Sequence, residues 1–291
     1  MTMIESCGIA YDEAGPMARA AGLADRPAVV LVHAGVADRR MWEHQFRALS
    51  AGHRVIRYDW RGHGESRDPG PEVCHHEDLL AVLDALEVRR AVLVGCSMGG
   101  AYAVEAALAA PHRVAGLALI CSGLSGHRWP EDMLAQARER VHSSVPADRL
   151  ARYRAGSAEH VDPADVLAMA RAHTLWQVAG PDRGRADLTD EVWEAAVEMC
   201  RLVFHRMWTG PRTTERLLDP PAAGRLREIQ APTLVVNGLS DVAGIQAVSG
   251  LLAQGIPGAR RLDLPDTGHL APLERPSEVT DALTAFLKST M

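Results

Sequence analysis

Residues 90–96, Arg-Ala-Val-Leu-Val-Gly-Cys, form a near-continuous apolar run. A strand is apolar along its whole length when both faces of its sheet are covered, as in a parallel sheet flanked by helices. The neighbouring segments keep that rhythm. Residues 28–35 (AVVLVHAG) are a β-branched run ending in glycine, and 53–64 (HRVIRYDWRGHG) read as a strand giving way to a Gly-rich loop. Residues 74–88 place Leu79, Val82, Leu83 and Leu86 at helical spacing. Residues 98–110 are Ala-rich and helical up to Pro111, and 113–123 return to strand. This alternation predicts an α/β fold with a mostly parallel central sheet and helices on both faces.

Residues 125–225 break the rhythm. They hold several helical patterns, no clear strand and four of the six tryptophans: Trp129, Trp176, Trp193 and Trp208. Cys200, Val203, Phe204, Met207 and Trp208 fall on one helical face, a stripe read as helix core ahead of a binding surface. The sheet rhythm resumes with a strand at 231–238, a helix at 243–255, a strand at 259–266 and a closing helix from Pro276. The expected organisation is a core from 1–124 and 226–291, interrupted by a helical insertion at 125–225.

Composition excludes several alternatives. With 47% hydrophobic and 23% charged residues in 291, the chain has the makeup of an ordinary globular protein with a large core. A formal net charge of −6 and no long Lys/Arg run argue against a nucleic-acid partner. The longest apolar stretches are too short to span a bilayer, so no membrane partner is expected. Five scattered cysteines without a CxxC pair fit neither a disulfide framework nor a structural zinc site. The first residues lack the basic and apolar regions of a signal peptide. The expectation is a cytoplasmic protein acting on a small molecule, of unassigned oligomeric state.

The chemistry centres on Gly95-Cys96-Ser97-Met98-Gly99. Strand, sharp turn and helix surround Ser97, so its hydroxyl is held off the carboxyl end of the sheet, where α/β folds bind ligands. A serine hydroxyl needs a base to become a good nucleophile. Of the 13 histidines, His75, His76, His142 and His160 sit in polar segments read as solvated, and His173 and His205 fall in the insertion. His269 alone follows the late strand at 231–238, in a Gly-containing loop suited to reaching across the top of the sheet. The order Ser, acid, His makes it the expected base. Asp241, directly after that strand, is the expected acid ahead of Asp263 and Asp266. The backbone N–H groups of Met98 and Val36 are the expected oxyanion donors, with the His33 side chain bonded to its own loop.

Taken together, these segments resemble the α/β-hydrolase superfamily over all but the insertion. HAGVADRRMW is similar to the family's oxyanion loop with its downstream tryptophan, Trp42, though Ala34 stands where glycine is usual. YDWRGHGES carries Asp59, Arg61, Gly62, Gly64 and Ser66 of a second family segment. GCSMG resembles the nucleophile elbow, and APTLVVNGLSD and TGHLAPLERP resemble the acid and histidine segments, the acid loop reading DVAG without the common proline. The resemblance places the helical cap at the insertion and points to small capped esterases, lactonases and C–C bond hydrolases. It implies a Ser97–His269–Asp241 triad and calls for no metal or cofactor. Serine at the nucleophile position disfavours haloalkane dehalogenase and epoxide hydrolase chemistry, which use aspartate there.

Three functions follow from this reading. The preferred one is hydrolysis of a small, largely apolar ester, thioester or lactone. The second is C–C bond cleavage of a β-diketone-like substrate on the same scaffold, and the third is ligand binding without catalysis. Trp42, Trp176, Phe204 and Trp208 are candidates to line the pocket, with Trp193 beside them. Joining cap to core is an equal reading of these aromatics.

Overall fold

The structure, a computed structural model, describes residues 2–16, 26–156 and 158–290. In chain order the first half contains β1 (Thr2–Ile4), β2 (Ile9–Ala14), β3 (Ala28–Val32), α1 (Glu43–Leu49), β4 (Val55–Tyr58), β5 (Glu72–Val73), α2 (His75–Ala85), β6 (Ala91–Cys96), α3 (Met98–Ala109) and β7 (Val114–Ile120). Then follow α4 (Glu131–Arg140), α5 (Ala147–Ala155), α6 (Pro163–His173), a π-helical turn at Thr174–Ala179 and α7 (Asp190–Thr209). The second half closes with β8 (Thr214–Glu215), β9 (Thr233–Gly238), α8 (Ala243–Gly255), β10 (Arg260–Leu264), α9 (Ala271–Glu274) and α10 (Pro276–Thr290).

Eight strands form one sheet in the order β1-β2-β4-β3-β6-β7-β9-β10. From β4 to β10 every pairing is parallel; β2 joins β4 and β1 antiparallel. Side chains of period two divide the core between the faces. Val29, Leu31, Val92, Val94 and Cys96 enter one apolar cluster, while Val30, Val32, Ala91 and Leu93 enter the other. Helices fill both clusters: α10 contributes Val279, Leu283, Phe286 and Leu287 to the first, and α8 contributes Val248 and Leu252 to the second. The expected strands and helices of the core are present within a few residues of their predicted limits.

Three expectations are corrected. Residues 125–225 do contain a strand: exposed β8 pairs parallel with β5. Two residues are too few to give any periodic signal. The stripe on α7 is incomplete, because Met207 is 63% exposed although Cys200, Val203 and Trp208 are buried. Met207 lines a surface groove instead, while its neighbour Trp208 stacks on Tyr153 of α5. His76 is buried rather than solvated, since α2 packs on α3 and Glu105 of α3 accepts at 2.8 Å from His76 Nδ1.

The segment after β4 is a brace for the loops above the sheet. Buried Asp59 accepts from the Arg39 backbone at 2.8 Å, from the Arg39 guanidinium and from the Glu65 N–H at 2.9 Å. Ser66 donates to the Asp59 carbonyl at 2.6 Å and accepts from the Ala10 N–H at 2.8 Å. Arg61 is bidentate on Asp78. No helix among the described residues is long and apolar enough to cross a membrane.

Candidate active site

β6 lies between β3 and β7 and ends directly at Ser97, whose backbone has φ 55° and ψ −124°. A non-glycine residue there is strained by roughly 1–3 kcal/mol and persists only when its surroundings hold it. They do: Ser97 N–H donates to the Ile120 carbonyl at 3.1 Å, and its own carbonyl accepts from Gly100, Ala101 and Gly123. The turn also needs close approach of backbones. A Cβ on Gly99 would fall 2.3 Å from the His33 carbonyl oxygen and 2.4 Å from that of Val32. Met98 opens α3, so its N–H has no intrahelical partner.

The loop after β3 lies beside this turn, with Gly35 facing the Met98 side chain. A turn closed by Ala37 N–H on the Ala34 carbonyl, at 3.0 Å, holds it, and Met41 Sδ accepts from Ala34 N–H at 3.2 Å. His33 fixes the same loop. Its Nδ1 donates to the Ala34 carbonyl at 2.8 Å and its Nε2 accepts from Trp60 N–H at 3.1 Å. Burial, then the nearby His63, push its pKa down to about 3, so it stays neutral. Val36 is half-buried and packs against Ala170, Val197 and Cys200 of the insertion.

Asp241 and His269 come together at the ends of β9 and β10. His269 Nδ1 lies 2.6 Å from Asp241 Oδ2, with both residues buried. A carboxylate only accepts, so Nδ1 donates, and in the neutral tautomer that this fixes, the lone pair lies on Nε2. That Nε2 is buried with no hydrogen-bond partner among the described residues. The second carboxylate oxygen accepts from Val242 N–H at 2.7 Å, and Gln246 holds the Asp241 carbonyl at 2.6 Å. The competing acids lie elsewhere: Asp263 is bound to Asn237 and Arg261, and Asp266 is an exposed turn residue with φ 47°.

Contacts with the ends of β6 and β7 tie down the backbone of the histidine loop. The Cys96 thiol, adjacent to Ser97, reaches the His269 carbonyl at 3.7 Å, and the Cys121 thiol reaches the Gly268 carbonyl at 3.6 Å. Burial and the Asp241 charge push both thiols well above the ordinary range, which makes them poor nucleophiles.

The π-helical turn, which carries no recognisable sequence signal, presses on the same loops. A Cβ on Gly268 would fall 1.9 Å from the Val178 carbonyl oxygen, and one on Gly180 the same 1.9 Å from that of Ser240. Among the aromatic candidates, Trp176 is buried within this turn, and Phe204 is half-buried and tilts on Trp208 at 5.7 Å. Trp208 stacks on Tyr153 at 4.8 Å and lines a groove of about 520 Å³ with Arg61, His63, Arg206 and Met207. Trp42 is fully buried in a helical turn that packs against α9. Trp193 is half-buried beneath the Arg185 guanidinium, 5.1 Å from its ring. Cys74, His76 and Glu77 bring metal-ligating atoms within 4.8 Å of one another. The His76 bond to Glu105 competes for a ring nitrogen there.

A profile of the alpha/beta hydrolase fold matches residues 27–276, and the chain belongs to that family. It is an enzyme of the hydrolase class. It is 25% identical to 3-oxoadipate enol-lactonase 1 of Acinetobacter baylyi, over 92% of this chain and 91% of that protein. It is 28% identical to the rhodomycin D methylesterase DauP of a Streptomyces species, over 91% of this chain and 92% of that protein. Among solved structures it resembles Est816, described as an N-acyl homoserine lactone degrading enzyme, with 28% identity, a TM-score of 0.64 and 96% of each chain covered.

Proposed function

We propose that the chain is a serine hydrolase of small, largely apolar carboxylic esters, thioesters or lactones, working through Ser97, His269 and Asp241. The observation that carries this reading is the buried His269–Asp241 pair at 2.6 Å, its Nε2 unpartnered, beside the strained turn at Ser97. Lactone- and ester-cleaving relatives at 25–28% identity support the substrate class.

In this mechanism Ser97 Oγ attacks the substrate carbonyl while His269 Nε2 removes its proton. Asp241 holds the imidazole in the tautomer that frees Nε2 and stabilises the imidazolium. The N–H groups of Met98 and Val36 receive the oxyanion, each such donor being worth about 10²–10³ in rate. Collapse breaks the C–O or C–S bond, His269 protonates the departing atom, and an acyl-Ser97 ester remains. His269 then takes a proton from water, whose oxygen attacks the acyl carbon and releases acid and free Ser97. Residues 125–225 act as the cap, with Trp176, Phe204 and Trp208 walling the pocket and Trp42 supporting it from the core.

A fluorophosphonate probe tests this, with the adduct mapped by mass spectrometry. A single adduct on Ser97 that is lost in His269→Ala is the expected result. Absence of an adduct, or labelling indifferent to His269, would sink the reading and favour a binding protein.

A further inference from the structure

α6 runs without a break into the π-helical turn at Thr174–Ala179. Such turns are rare and collect at functional sites, where the extra residue re-aims side chains. At the junction stands His173, whose Nε2 lies 2.7 Å from Gln177 Oε1. An amide oxygen accepts, so Nε2 bears the proton and Nδ1 is left as an acceptor. The ring makes no other hydrogen bond among the described residues. It meets Trp176 edge-on at 6.0 Å and Phe204 edge-on at 5.7 Å. Trp176 Nε1 is a buried donor without a partner among the described residues. This wall therefore carries a free acceptor on the half-buried His173 ring and an unmet buried donor on Trp176, the two rings 6.0 Å apart.

The wall faces the catalytic loops. The carbonyls of Val178 and Ala179 press on Gly268, and Gly180 presses on Ser240. His269 is near enough to act electrostatically on His173. Desolvation first, and the His269 neighbour after it, hold the His173 pKa down to about 4 against the opposing bond to Gln177. The imidazole is thus neutral at physiological pH and is suited to accepting a hydrogen bond rather than pairing with an anion.

We propose that His173, its tautomer fixed by Gln177, is a specificity-determining residue that accepts a hydrogen bond from a hydroxyl or secondary amide carried by the substrate beside its reacting carbonyl. Both groups donate and accept, so either also answers the Trp176 N–H. The proposal rests on reading Ser97 and His269 as the reaction centre. A site built around a buried hydrogen bond discriminates strongly against the analogue that lacks the group.

The test uses four 4-nitrophenyl esters: butyrate, its 2-hydroxy and 3-hydroxy derivatives, and its 3-acetamido derivative. At least one substituted ester is expected to exceed butyrate in kcat/KM by about tenfold, the size of one net hydrogen bond. In His173→Phe that ratio falls to about one, and in Gln177→Ala, where the ring is free to change tautomer, it falls part of the way. A ratio unchanged in both variants overturns the proposal, because a purely structural role lowers all four rates together. Binding separates this from the hydrolase reading: Ser97→Ala protein is titrated with butyrate and the three substituted acids by calorimetry. If no ester turns over but a substituted acid binds tighter in a His173-dependent way, the hydrolase reading falls and with it the reacting carbonyl, while the hydrogen bond accepted by His173 stands. If neither turnover nor binding depends on His173, the proposal falls.

Discussion

His269 and His173 come from different parts of the chain, one on the loop after β10 and one at the end of α6. Each has a ring nitrogen fixed by a residue of its own region: Asp241 at 2.6 Å for the first, Gln177 at 2.7 Å for the second. The difference is one of charge. A carboxylate partner stabilises imidazolium, so the histidine it orients is able to hold a proton during turnover. An amide offers much less, and desolvation then keeps His173 neutral. In the proposed mechanism the same side chain is a base in one setting and a passive acceptor in the other.

The largest effect is expected at the turn that His269 serves. Ser97→Gly removes the proposed nucleophile and should lower kcat on 4-nitrophenyl butyrate by at least about 10⁴-fold. It also relieves the strained backbone at φ 55°, so the urea midpoint should rise by an amount equal to roughly 1 kcal/mol. Lost activity with lowered stability would mean that the turn stores no strain. Asp241→Asn comes next: the Val242 N–H keeps one oxygen of this side chain, so the amide NH2 is the group turned toward His269. An amide donating to Nδ1 forces the proton onto Nε2, the wrong tautomer for a base, and kcat should fall by about 10³–10⁴-fold. Retention of more than a tenth of wild-type kcat would break the comparison between the two histidines.

The two sides of this comparison were unequally legible in the sequence. The loop side could be read because its constraints are local: a strand, glycines where backbones nearly touch, and acid and histidine each just past a strand. Asp241 was separable from Asp263 and Asp266 by position alone, and the structure puts it against His269. The insertion side was opaque. His173 and Gln177 look like any polar pair four residues apart on a helix, and nothing in Thr174–Ala179 announces a π-helical turn. Its close contacts are with Gly268 and Ser240, which are distant in the chain and leave no local pattern. The hairpin of β1 and β2 was missed for a related reason: β2 is half-buried along most of its length, so its pattern does not alternate.

That contact is itself testable. In Gly268→Ala the new methyl would fall 1.9 Å from the Val178 carbonyl oxygen, so the insertion must shift away from the histidine loop. Overpacking of this kind costs about 1–3 kcal/mol, read as a lower urea midpoint. Because His269 is the next residue, kcat should also fall, by about tenfold on an ester without hydroxyl or amide groups. Loss of stability with unchanged kcat would show that the loop keeps its geometry without the insertion.

The smallest effect concerns protons. His173 in the insertion and His33 in the core are held neutral, with pKa values pushed down to about 4 and about 3, chiefly by desolvation. In the unfolded chain both return to about 6.5. As pH falls below 6.5 the unfolded state takes up these protons first, so stability is full above that value and declines toward pH 4. Each such group adds at most about 1.4 kcal/mol per pH unit to the slope. His173→Phe should remove one proton from the slope of unfolding free energy against pH between 6.5 and 4, leaving His33 and the other desolvated histidines to supply the rest. An unchanged slope would mean that His173 is protonated in the folded protein, and the contrast with His269 would then rest on position alone.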